Sequence, residues 1–355
     1  MKLHTYTLIL VVVLFSQWQC KTPQGQSSDN ASAQNHDERQ KIANIAKMAV
    51  TTQEQPQVFP PIFQYANTAS ITATDIVSVP IINTSDFHGW LEPLIPKNRN
   101  LYYGGIANLA GFLKHKEKID HDNTIFIDSG DMWTGPSIST LTKGKSTIEV
   151  YNILGIDAAI IGNHEFDYGI ENLRMRAREA RFPFLAANIK SKDKDSQLDF
   201  AAPFRIFEVS GIKVGVLGLG YKNTPFETHP KRVKSLEFLD YEPTIRMWVP
   251  KIRELGANVV IAVVHDTNPT VKKVAEAIKD LDIPVFFGGQ QHQYAYSFLK
   301  NSDPNKEIII LNPGGFGRSY ARVDLIFDRK NKTYLGFKAK IEMVNRSLFF
   351  SFFFF

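Results

Sequence analysis

Polar side chains that can bind a metal ion stand at the ends of successive apolar segments of this sequence. In chain order they are Asp86, His88, Asp131, Asn163, His164, His265, Gln290 and His292. A single Asp or His at a strand end more often bonds to turn backbone than to a ligand. The same coincidence at five successive segments favours a shared site, because the carboxyl ends of strands converge at one edge of an open α/β sheet.

The chemical types in this set indicate which ions the site could hold. Carboxylate, imidazole and amide donors suit Zn²⁺, Mn²⁺ or Fe, and the absence of thiolates argues against a structural zinc site. Seven or eight ligands are too many for one ion but suit two if Asp131 bridges them. Two ions about 3.5–4 Å apart can clamp a phosphoryl group and generate hydroxide from water.

The segments that carry these residues read as an α/β domain. Helical spacing of apolar residues occurs in "GGIANLAGFLKHKEK" and "VKKVAEAIKDL", and each predicts a helix with one face on a sheet. Several of the strand-like runs are apolar throughout, which is typical of strands buried on both faces. The predicted strands are "IVSVPIINTSD", "TIFIDSGD", "AAIIGNHE", "FPFLAANI", "KVGVLGLG", "VVIAVVHD", "IPVFFGGQ", "EIIILNPG" and "ARVDLIFD". So many strands suggest two packed sheets.

Composition excludes several classes of protein. The chain has 355 residues, a net charge of +5 and one cysteine, Cys20. The basic residues are scattered and form no nucleic-acid-binding motif, so we expect no nucleic-acid partner. A disulfide within the chain and a cysteine nucleophile are excluded. The sequence contains no G-x-S-x-G, so a serine elbow has no support.

The two ends of the chain differ from its middle. Residues 1–20 predict an export signal, with Lys2 ahead of an apolar core that is too short to span a bilayer. Lipidation at Cys20 and ordinary cleavage both stay open, so the expected location is the periplasm or cell envelope. Residues 21–75 read as a flexible linker and residues 76–343 as the catalytic domain. The Phe-rich tail, 344–355, is interpreted as a truncated or frame-shifted end.

Several of these motifs together resemble one family. "DFH", "GD", "GNHEFD", "VVHD" and the "GG" turn resemble the calcineurin-like metallophosphoesterases. The longer run "KGKSTIEVYNILGIDAAIIGNHEFDYG" is similar to the bacterial 5'-nucleotidases, and the resemblance covers about residues 76–330. It implies a four-layer α/β/β/α sandwich of two mixed sheets. It also implies two divalent metal ions, which could be Zn, Mn, Mg or Fe.

The resemblance assigns roles by matching position. It implies a first metal position formed by Asp86, His88, Asp131 and His292, and a second metal position formed by Asp131, Asn163, His265 and Gln290. His164 would face the phosphate and protonate the leaving oxygen. Asp167 would orient the His164 ring, a role that can coexist with capping a helix. Asn188 could line the substrate site or hold a turn, and Glu165 is left out because adjacent side chains rarely point the same way.

The activity implied is hydrolysis of nucleoside 5'-monophosphates by a metal-bridging hydroxide, with 2',3'-cyclic nucleotides as a further substrate class. We expect a monomer whose partner is a small phosphate ester, and membrane contact only through a lipid anchor. Two alternatives stay open: a thiosulfate-ester hydrolase on the same scaffold, and a degenerate envelope protein that binds metal or phosphate without turnover. The binding-protein alternative arises because relatives usually have His at the place of Gln290, and an amide oxygen is a weaker donor than imidazole for Zn²⁺.

Overall fold

The computed structural model describes residues 63–66, 75–94, 103–119, 122–193 and 195–344. The predicted export signal, nearly all of the predicted linker and the Phe-rich tail from residue 345 lie outside the described residues. Within the described part of the chain, the helices are all too short or too polar to cross a membrane.

The larger sheet is built from strands of both halves of the chain. Its strands are β1 Phe63–Ala66, β2 Ile76–Thr84, β3 Ile125–Asp128, β4 Ala158–Ile160, β5 Phe184–Leu185, β8 Ala201–Ala202, β16 Ser319–Asp328 and β17 Tyr334–Met343. They lie in the order β1-β17-β16-β2-β3-β4-β5-β8. Strands β2, β3, β4, β5 and β8 run parallel, whereas β16, β17 and β1 are antiparallel to their neighbours. The sheet is therefore mixed, and its parallel part contains the strands of this sheet that are predicted to carry metal ligands.

The remaining strands form a second sheet and a small third one. They are β6 Ile189–Ser191, β7 Ser196–Gln197, β9 Phe204–Val209, β10 Ile212–Leu219, β11 Leu236–Phe238, β12 Val259–Val264, β13 Val285–Phe287, β14 Tyr294–Lys300 and β15 Glu307–Pro313. The second sheet has the order β14-β15-β13-β12-β10-β9, and the third has the order β11-β6-β7. In the second sheet β10, β12, β13 and β15 are parallel, and antiparallel β9 and β14 lie at the two edges.

Eight α-helices connect these strands within the described residues. They are α1 Ile106–Gly111, α2 Ser137–Thr142, α3 Lys145–Leu154, α4 Ile170–Glu179, α5 Thr224–Glu227, α6 Pro230–Val233, α7 Tyr241–Glu254 and α8 Asn268–Ala277. A π-helical turn, Phe112–Lys116, extends α1, and short 3₁₀ turns span His164–Phe166 and Lys279–Leu281. Both predicted helices are present. Helix α8 begins earlier than its apolar spacing indicates, because a proline in its first turn suits a helix start.

The buried side chains form three layers of apolar core. Residues of β2 and β3 face residues of β10 and β12 between the sheets; they include Val79, Ile81, Ile127, Val214, Val216 and Ile261. The outer face of the larger sheet packs against α1, α3 and α4 through residues that include Ile82, Phe126, Leu109, Ile148 and Leu173. The outer face of the second sheet packs against α7 and α8 through residues that include Leu217, Val260, Ile245 and Val271. Helices therefore cover both outer faces, and the predicted four-layer sandwich of two mixed sheets is confirmed.

All nine predicted strands are present, and further strands lie mainly at or near sheet edges. In β14 the exposed and half-buried residues alternate, so an apolar run does not reveal it. Strand β1 falls inside the segment predicted as a linker and pairs antiparallel with β17, from Phe63 opposite Ala339 to Ala66 opposite Gly336. The open backbone edge of β17 explains this pairing, because unpaired N–H and C=O groups recruit a further strand. This part of the predicted linker thus belongs to the sheet.

A buried ionic cluster joins the π-helical turn after α1 to β16 and β17. The Glu117 carboxylate, whose side chain is 2% exposed, accepts hydrogen bonds from Tyr320 Oη at 2.6 Å and Lys340 Nζ at 2.7 Å, and from Arg322. Burial raises the pKa of Glu117, but the bonds from Lys340, Tyr320 and Arg322 outweigh burial and hold it below its ordinary value of 4.5. The carboxylate is therefore charged whenever the protein is near neutral pH.

We expect Glu117→Gln to reduce the free energy of unfolding at neutral pH by about 2–3 kcal/mol, because it weakens the charge-assisted hydrogen bonds from Lys340 and Arg322 to a buried carboxylate and leaves these cations only Glu342 and Asp324 as acidic partners. Since the folded pKa lies below the unfolded one, the charged Glu117 stabilises the protein above pH 4.5, and that stabilisation is lost as the pH falls through the folded pKa. Urea unfolding at neutral and acidic pH measures both effects. Glu276→Gln, on an exposed face of α8, is the control. An equal deficit for Glu117→Gln at both pH values would contradict the charge argument.

Candidate metal centre

Five strand ends bring the predicted ligands together. Loops after β2, β3 and β4 of the larger sheet carry the first five of these residues, and loops after β12 and β13 of the second sheet carry the other three. Three groups of side chains have donor atoms within 4.8 Å of one another: Asp86, His88 and His292; His88, Asp131 and His164; and Asp86, Asp131 and His265. Because Asp86, His88 and Asp131 each belong to two of these groups, the side chains form one cluster.

The backbone at this cluster is strained in a consistent way. The residues Asp86, His88, Asp131, Gln290 and His292 have φ angles of 50°, 49°, 57°, 66° and 56°. The left-handed region is uncommon for residues other than glycine, and each such residue costs of order 1–3 kcal/mol. Gly162 shows how tight the turns are, since a Cβ atom there would lie 2.2 Å from Oδ1 of Asp131. The fold therefore maintains unfavourable turns in order to aim these side chains at one place.

His88 and His292 present ring nitrogens to each other. Nδ1 of His88 lies 3.0 Å from the carbonyl oxygen of Thr134, which fixes the proton on Nδ1 in the neutral ring. Nε2 of His88 then faces Nε2 of His292 at 2.9 Å, and Oδ1 of Asp86 lies 3.7 Å from the latter. Burial lowers the pKa of His88, and burial together with His88 lowers the pKa of His292 to about 4. Two neutral imidazoles beside a carboxylate are suited to a cation.

His265 has the same arrangement on the other side of Asp131. Its Nδ1 lies 2.7 Å from the carbonyl oxygen of Ser129, so a neutral ring has its lone pair on Nε2. That Nε2 is 2.9 Å from Oε1 of Gln290 and 3.2 Å from Oδ2 of Asp131. Burial lowers the pKa of His265, but the charge of Asp131 outweighs it and holds the pKa well above its ordinary value. Three electron-pair donors converge here, and a bound proton or a metal ion can satisfy them.

Two buried oxygen atoms of the predicted ligands make no hydrogen bond of normal geometry among the described residues, although Nε2 of His265 lies 3.2 Å from one of them. Oδ1 of Asp131 accepts the backbone N–H of His164 at 2.9 Å, but Oδ2 of Asp131 has no well-directed partner, and neither has Oδ1 of Asn163. Buried polar atoms are normally paired, so an unpaired one points to a missing ion or water. These oxygens, together with the three imidazoles, fit divalent cations on both sides of Asp131.

His164 is held differently from the other histidines. Its Nδ1 lies 2.6 Å from Oδ2 of Asp167, and its side chain is about one-third exposed. Burial lowers the pKa of His164, but the hydrogen bond to Asp167 and the charge of Asp131 raise it to about 9. Asp167 also lies 3.7 Å from Nη1 of Arg232. The ring is therefore protonated at neutral pH in the metal-free protein, with Nδ1 on Asp167 and the ring among the clustered donors.

Glu165 has a positioning role that the sequence did not reveal. Its fully buried carboxylate accepts the backbone N–H groups of Asp131, Met132 and Gly162 at 2.9, 2.8 and 2.7 Å. Burial and the nearby charge of Asp131 raise the pKa of Glu165 to about 8. The side chain joins the loops after β3 and β4 and so fixes the backbone of Asp131. Its place beside two predicted site residues was the only signal in the sequence.

Asn188 lies in the turn between β5 and β6. Its Nδ2 donates to the carbonyl oxygen of Gly220 at 2.8 Å and its Oδ1 accepts the N–H of the same residue at 2.7 Å. The whole amide is thus engaged with backbone, which is the structural-turn alternative. A role in substrate binding stays a prediction.

Comparisons with known proteins agree with this geometry. The family model for calcineurin-like phosphoesterases matches residues 79–294. The chain is 29% identical to 5'-nucleotidase of Mus musculus over 76% of the chain and 49% of that protein, and 30% identical to 5'-nucleotidase of Bos taurus over 70% and 46%. It therefore spans about half the length of the curated relatives it matches.

Solved structures with the same fold include a 5'-nucleotidase precursor from Thermus thermophilus, with a TM-score of 0.65 and 23% identity over 76% of this chain and 55% of that one. A sulfate thiohydrolase from Thermus thermophilus has a TM-score of 0.64 and 20% identity over 75% and 56%. At these identities the likeness shows the fold alone. The family model, however, matches more than half of the chain and includes all the clustered residues, and we conclude that the chain belongs to the calcineurin-like phosphoesterase family.

Proposed function

We propose that this protein is a metal-dependent phosphoester hydrolase of the 5'-nucleotidase type. The observation that carries the proposal is the convergence of donor side chains from five strand ends near one buried carboxylate, Asp131, whose Oδ2 makes no well-directed hydrogen bond in the described part of the chain. A purely structural polar cluster would be expected to satisfy that oxygen. A carboxylate left open between histidines on both sides suits a bridge between two cations.

The proposed ligands divide between two ions. The first metal position would be held by Asp86, His88, Asp131 and His292, and the second by Asp131, Asn163, His265 and Gln290. When bound, two such ions neutralise phosphoryl charge and lower the pKa of water so that it can act as the nucleophile. The chain itself fixes the donors: carbonyl oxygens of Thr134 and Ser129 hold the tautomers of His88 and His265.

His164 would handle the proton of the leaving group. It is one of the clustered donors, its ring centroid lies 5.0 Å from that of His88, and its side chain is partly open to solvent. Asp167 holds the ring by Nδ1 and favours its charged form, so Nε2 can donate a proton to the departing oxygen. His164 differs from the assigned ligands in that its Nδ1 is bonded to the Asp167 carboxylate and its side chain is partly exposed. This arrangement supports an acid role for His164 in preference to ligation.

Nucleoside 5'-monophosphates are the proposed substrates, and 2',3'-cyclic nucleotides are a further class to test. The support is that the curated relatives, from Mus musculus and Bos taurus among others, are named 5'-nucleotidases. The thiosulfate-ester alternative rests on the fold that this chain shares with a sulfate thiohydrolase. A 5'-nucleotidase precursor has the same fold, so the fold does not distinguish the two activities. The nucleotide reading is therefore preferred on sequence similarity.

Hydrolysis assays with the purified chain test this proposal. The metal-free protein is supplied with Mn²⁺ or Zn²⁺ and assayed with AMP, 2',3'-cyclic AMP and a thiosulfate ester, while elemental analysis gives the metal stoichiometry. We expect two equivalents of metal and phosphate release from AMP. Release of sulfate alone would favour the thiohydrolase alternative. Two bound ions without any turnover would favour a binding protein, and no bound metal would overturn the dimetal site itself.

Gln290→His provides a prediction specific to this sequence. Because imidazole is a stronger donor than an amide oxygen for Zn²⁺, we expect the variant to bind the second Zn²⁺ equivalent about tenfold more tightly, with Mn²⁺ affected less. Competition with a chromophoric chelator measures both affinities. Gln293→His, in the same turn with its side chain exposed, is the matched control. Unchanged affinity for both ions would show that residue 290 does not contact the metal.

We also propose that the protein is exported to the periplasm or cell envelope, either released or lipid-anchored at Cys20, and that it acts as a monomer. The support for export is the amino-terminal sequence pattern. Cell fractionation of the wild type and of Cys20→Ala separates the possibilities, because only a lipid-anchored protein would move from the membrane fraction to the soluble fraction. Sedimentation of the purified chain gives its oligomeric state.

A further inference from the structure

Gln290 belongs to a closed ring of contacts that surrounds the second metal position. Its Oε1 lies 2.9 Å from Nε2 of His265, and its Nε2 donates to Oε2 of Glu227 at 3.0 Å. Oε1 of Glu227 accepts a hydrogen bond from Oη of Tyr221 at 2.7 Å. The Tyr221 ring in turn stands edge-on to the ring of His265, with centroids 6.2 Å apart. The sequence implied that Gln290 and His265 lie together, but the places of Glu227 and Tyr221 in this ring were not apparent from it.

We propose that Glu227, held by Tyr221, is a positioning residue that turns the amide oxygen of Gln290 toward the second metal position. The inference rests on the proposed function. It explains how the chain can use glutamine at a place where the family usually has histidine. Either nitrogen of an imidazole can carry the lone pair, so both flipped positions of the ring can ligate, whereas an amide ligates through its oxygen alone and must be oriented.

The two ends of the amide are distinguished by their neighbours. If the oxygen and nitrogen of the Gln290 amide exchanged places, the oxygen would face the Glu227 carboxylate, and two acceptors would repel. The –NH₂ group would then face Nε2 of His265, which carries the lone pair in the neutral, ligating ring because Nδ1 is bonded to the carbonyl oxygen of Ser129. A donated N–H would occupy that lone pair and weaken ligation by two residues at once. Glu227 is therefore the group that excludes the unproductive orientation.

The residues around the Gln290 amide are held in place by burial or by hydrogen bonds. Tyr221 is 7% exposed, and burial with the bond to Glu227 raises its pKa to about 12, so the hydroxyl keeps its proton and donates. The backbone N–H of Gln290 donates to Oδ1 of Asp86 at 2.9 Å, which fixes the start of the side chain. Glu227 itself is exposed at the end of α5. Its side chain is therefore held by the hydrogen bond from Tyr221 and not by burial.

A double-mutant cycle tests the proposal through metal binding and does not depend on turnover. Metal-free full-length protein is titrated with Mn²⁺ by calorimetry, for the wild type, Glu227→Ala, Gln290→His and the double variant. We expect Glu227→Ala to weaken the second Mn²⁺ equivalent by about 10- to 100-fold, and to leave the first unchanged. In the Gln290→His background the same change should cost less, about fivefold at most, because either ring nitrogen can ligate and Glu227 then fixes only the tautomer and the ring angle.

Further variants separate positioning from other roles. Tyr221→Phe should weaken the second equivalent in the same direction as Glu227→Ala but by less, and Glu254→Ala, at the exposed end of α7, should have no effect. An equal loss in both backgrounds would overturn the proposal, since it would mean that Glu227 is itself a ligand or supports the fold. No loss in the wild-type background would also overturn it. If the wild type bound fewer than two Mn²⁺ ions, the proposed dimetal function would have failed first.

Discussion

His164→Asn is expected to lower kcat for AMP by about two to four orders of magnitude while both metal ions stay bound. The size follows from the loss of a positioned general acid. His164 is the clustered histidine whose Nδ1 is bonded to a carboxylate and whose ring is partly exposed, so its loss should leave the ligand set intact. Steady-state kinetics and elemental analysis of the same preparation measure both quantities.

The leaving group makes this experiment more specific. p-Nitrophenolate departs without needing a proton, so an acid role predicts a much smaller loss of kcat with p-nitrophenyl phosphate than with AMP. Asp167→Asn keeps the size of the side chain but removes the charge, and it should reduce kcat for AMP by less than His164→Asn does. Equal losses on both substrates would indicate that His164 stabilises phosphoryl charge and does not protonate the leaving oxygen. Loss of metal from the His164→Asn variant would show that His164 is a metal ligand.

Asp131→Asn is expected to abolish binding of at least one metal ion and to lower kcat for AMP by about three orders of magnitude or more. A loss of this size corresponds to removal of one catalytic metal ion. Oδ1 of Asp131 bonds to the backbone of His164, and Oδ2 faces His265 and His88 at 3.2 and 4.0 Å. An asparagine keeps one oxygen but puts an –NH₂ group or an uncharged oxygen where a bridge is needed. Metal stoichiometry and AMP hydrolysis are the measurements.

The fold of Asp131→Asn should survive. Without the charge of Asp131 the pKa of His265 falls, so its buried ring becomes neutral and needs no counter-charge. Circular dichroism and the urea midpoint of the metal-free variant check this point. Asp193→Asn, in an exposed turn, is the matched control and should bind two ions. A folded Asp131→Asn protein that still bound two ions with unchanged affinity would overturn the assignment of Asp131 as the bridge.

Much of the fold could be predicted because its central strands are apolar on both faces. The nine predicted strands and both predicted helices are present, since buried strands and amphipathic helices leave strong local patterns. Strands at or next to the sheet edges, such as β1, β9, β14 and β17, were not predicted. Their residues alternate or are few, and their pairing depends on a neighbouring strand. Strand β1, for example, pairs with a strand about 270 residues later along the chain.

The sequence by itself determined the kind of chemistry and the candidate ligands, because residue type and strand-end position are local properties. Only the tertiary structure decided which atoms face which. It placed Asp131 Oδ2 between His88 and His265 without a well-directed hydrogen bond, and it put the Glu165 carboxylate on three backbone N–H groups. It also brought Glu227 to Gln290 across 63 positions of sequence. These contacts join loops of different strands, and their directions depend on left-handed turns that no local pattern specifies.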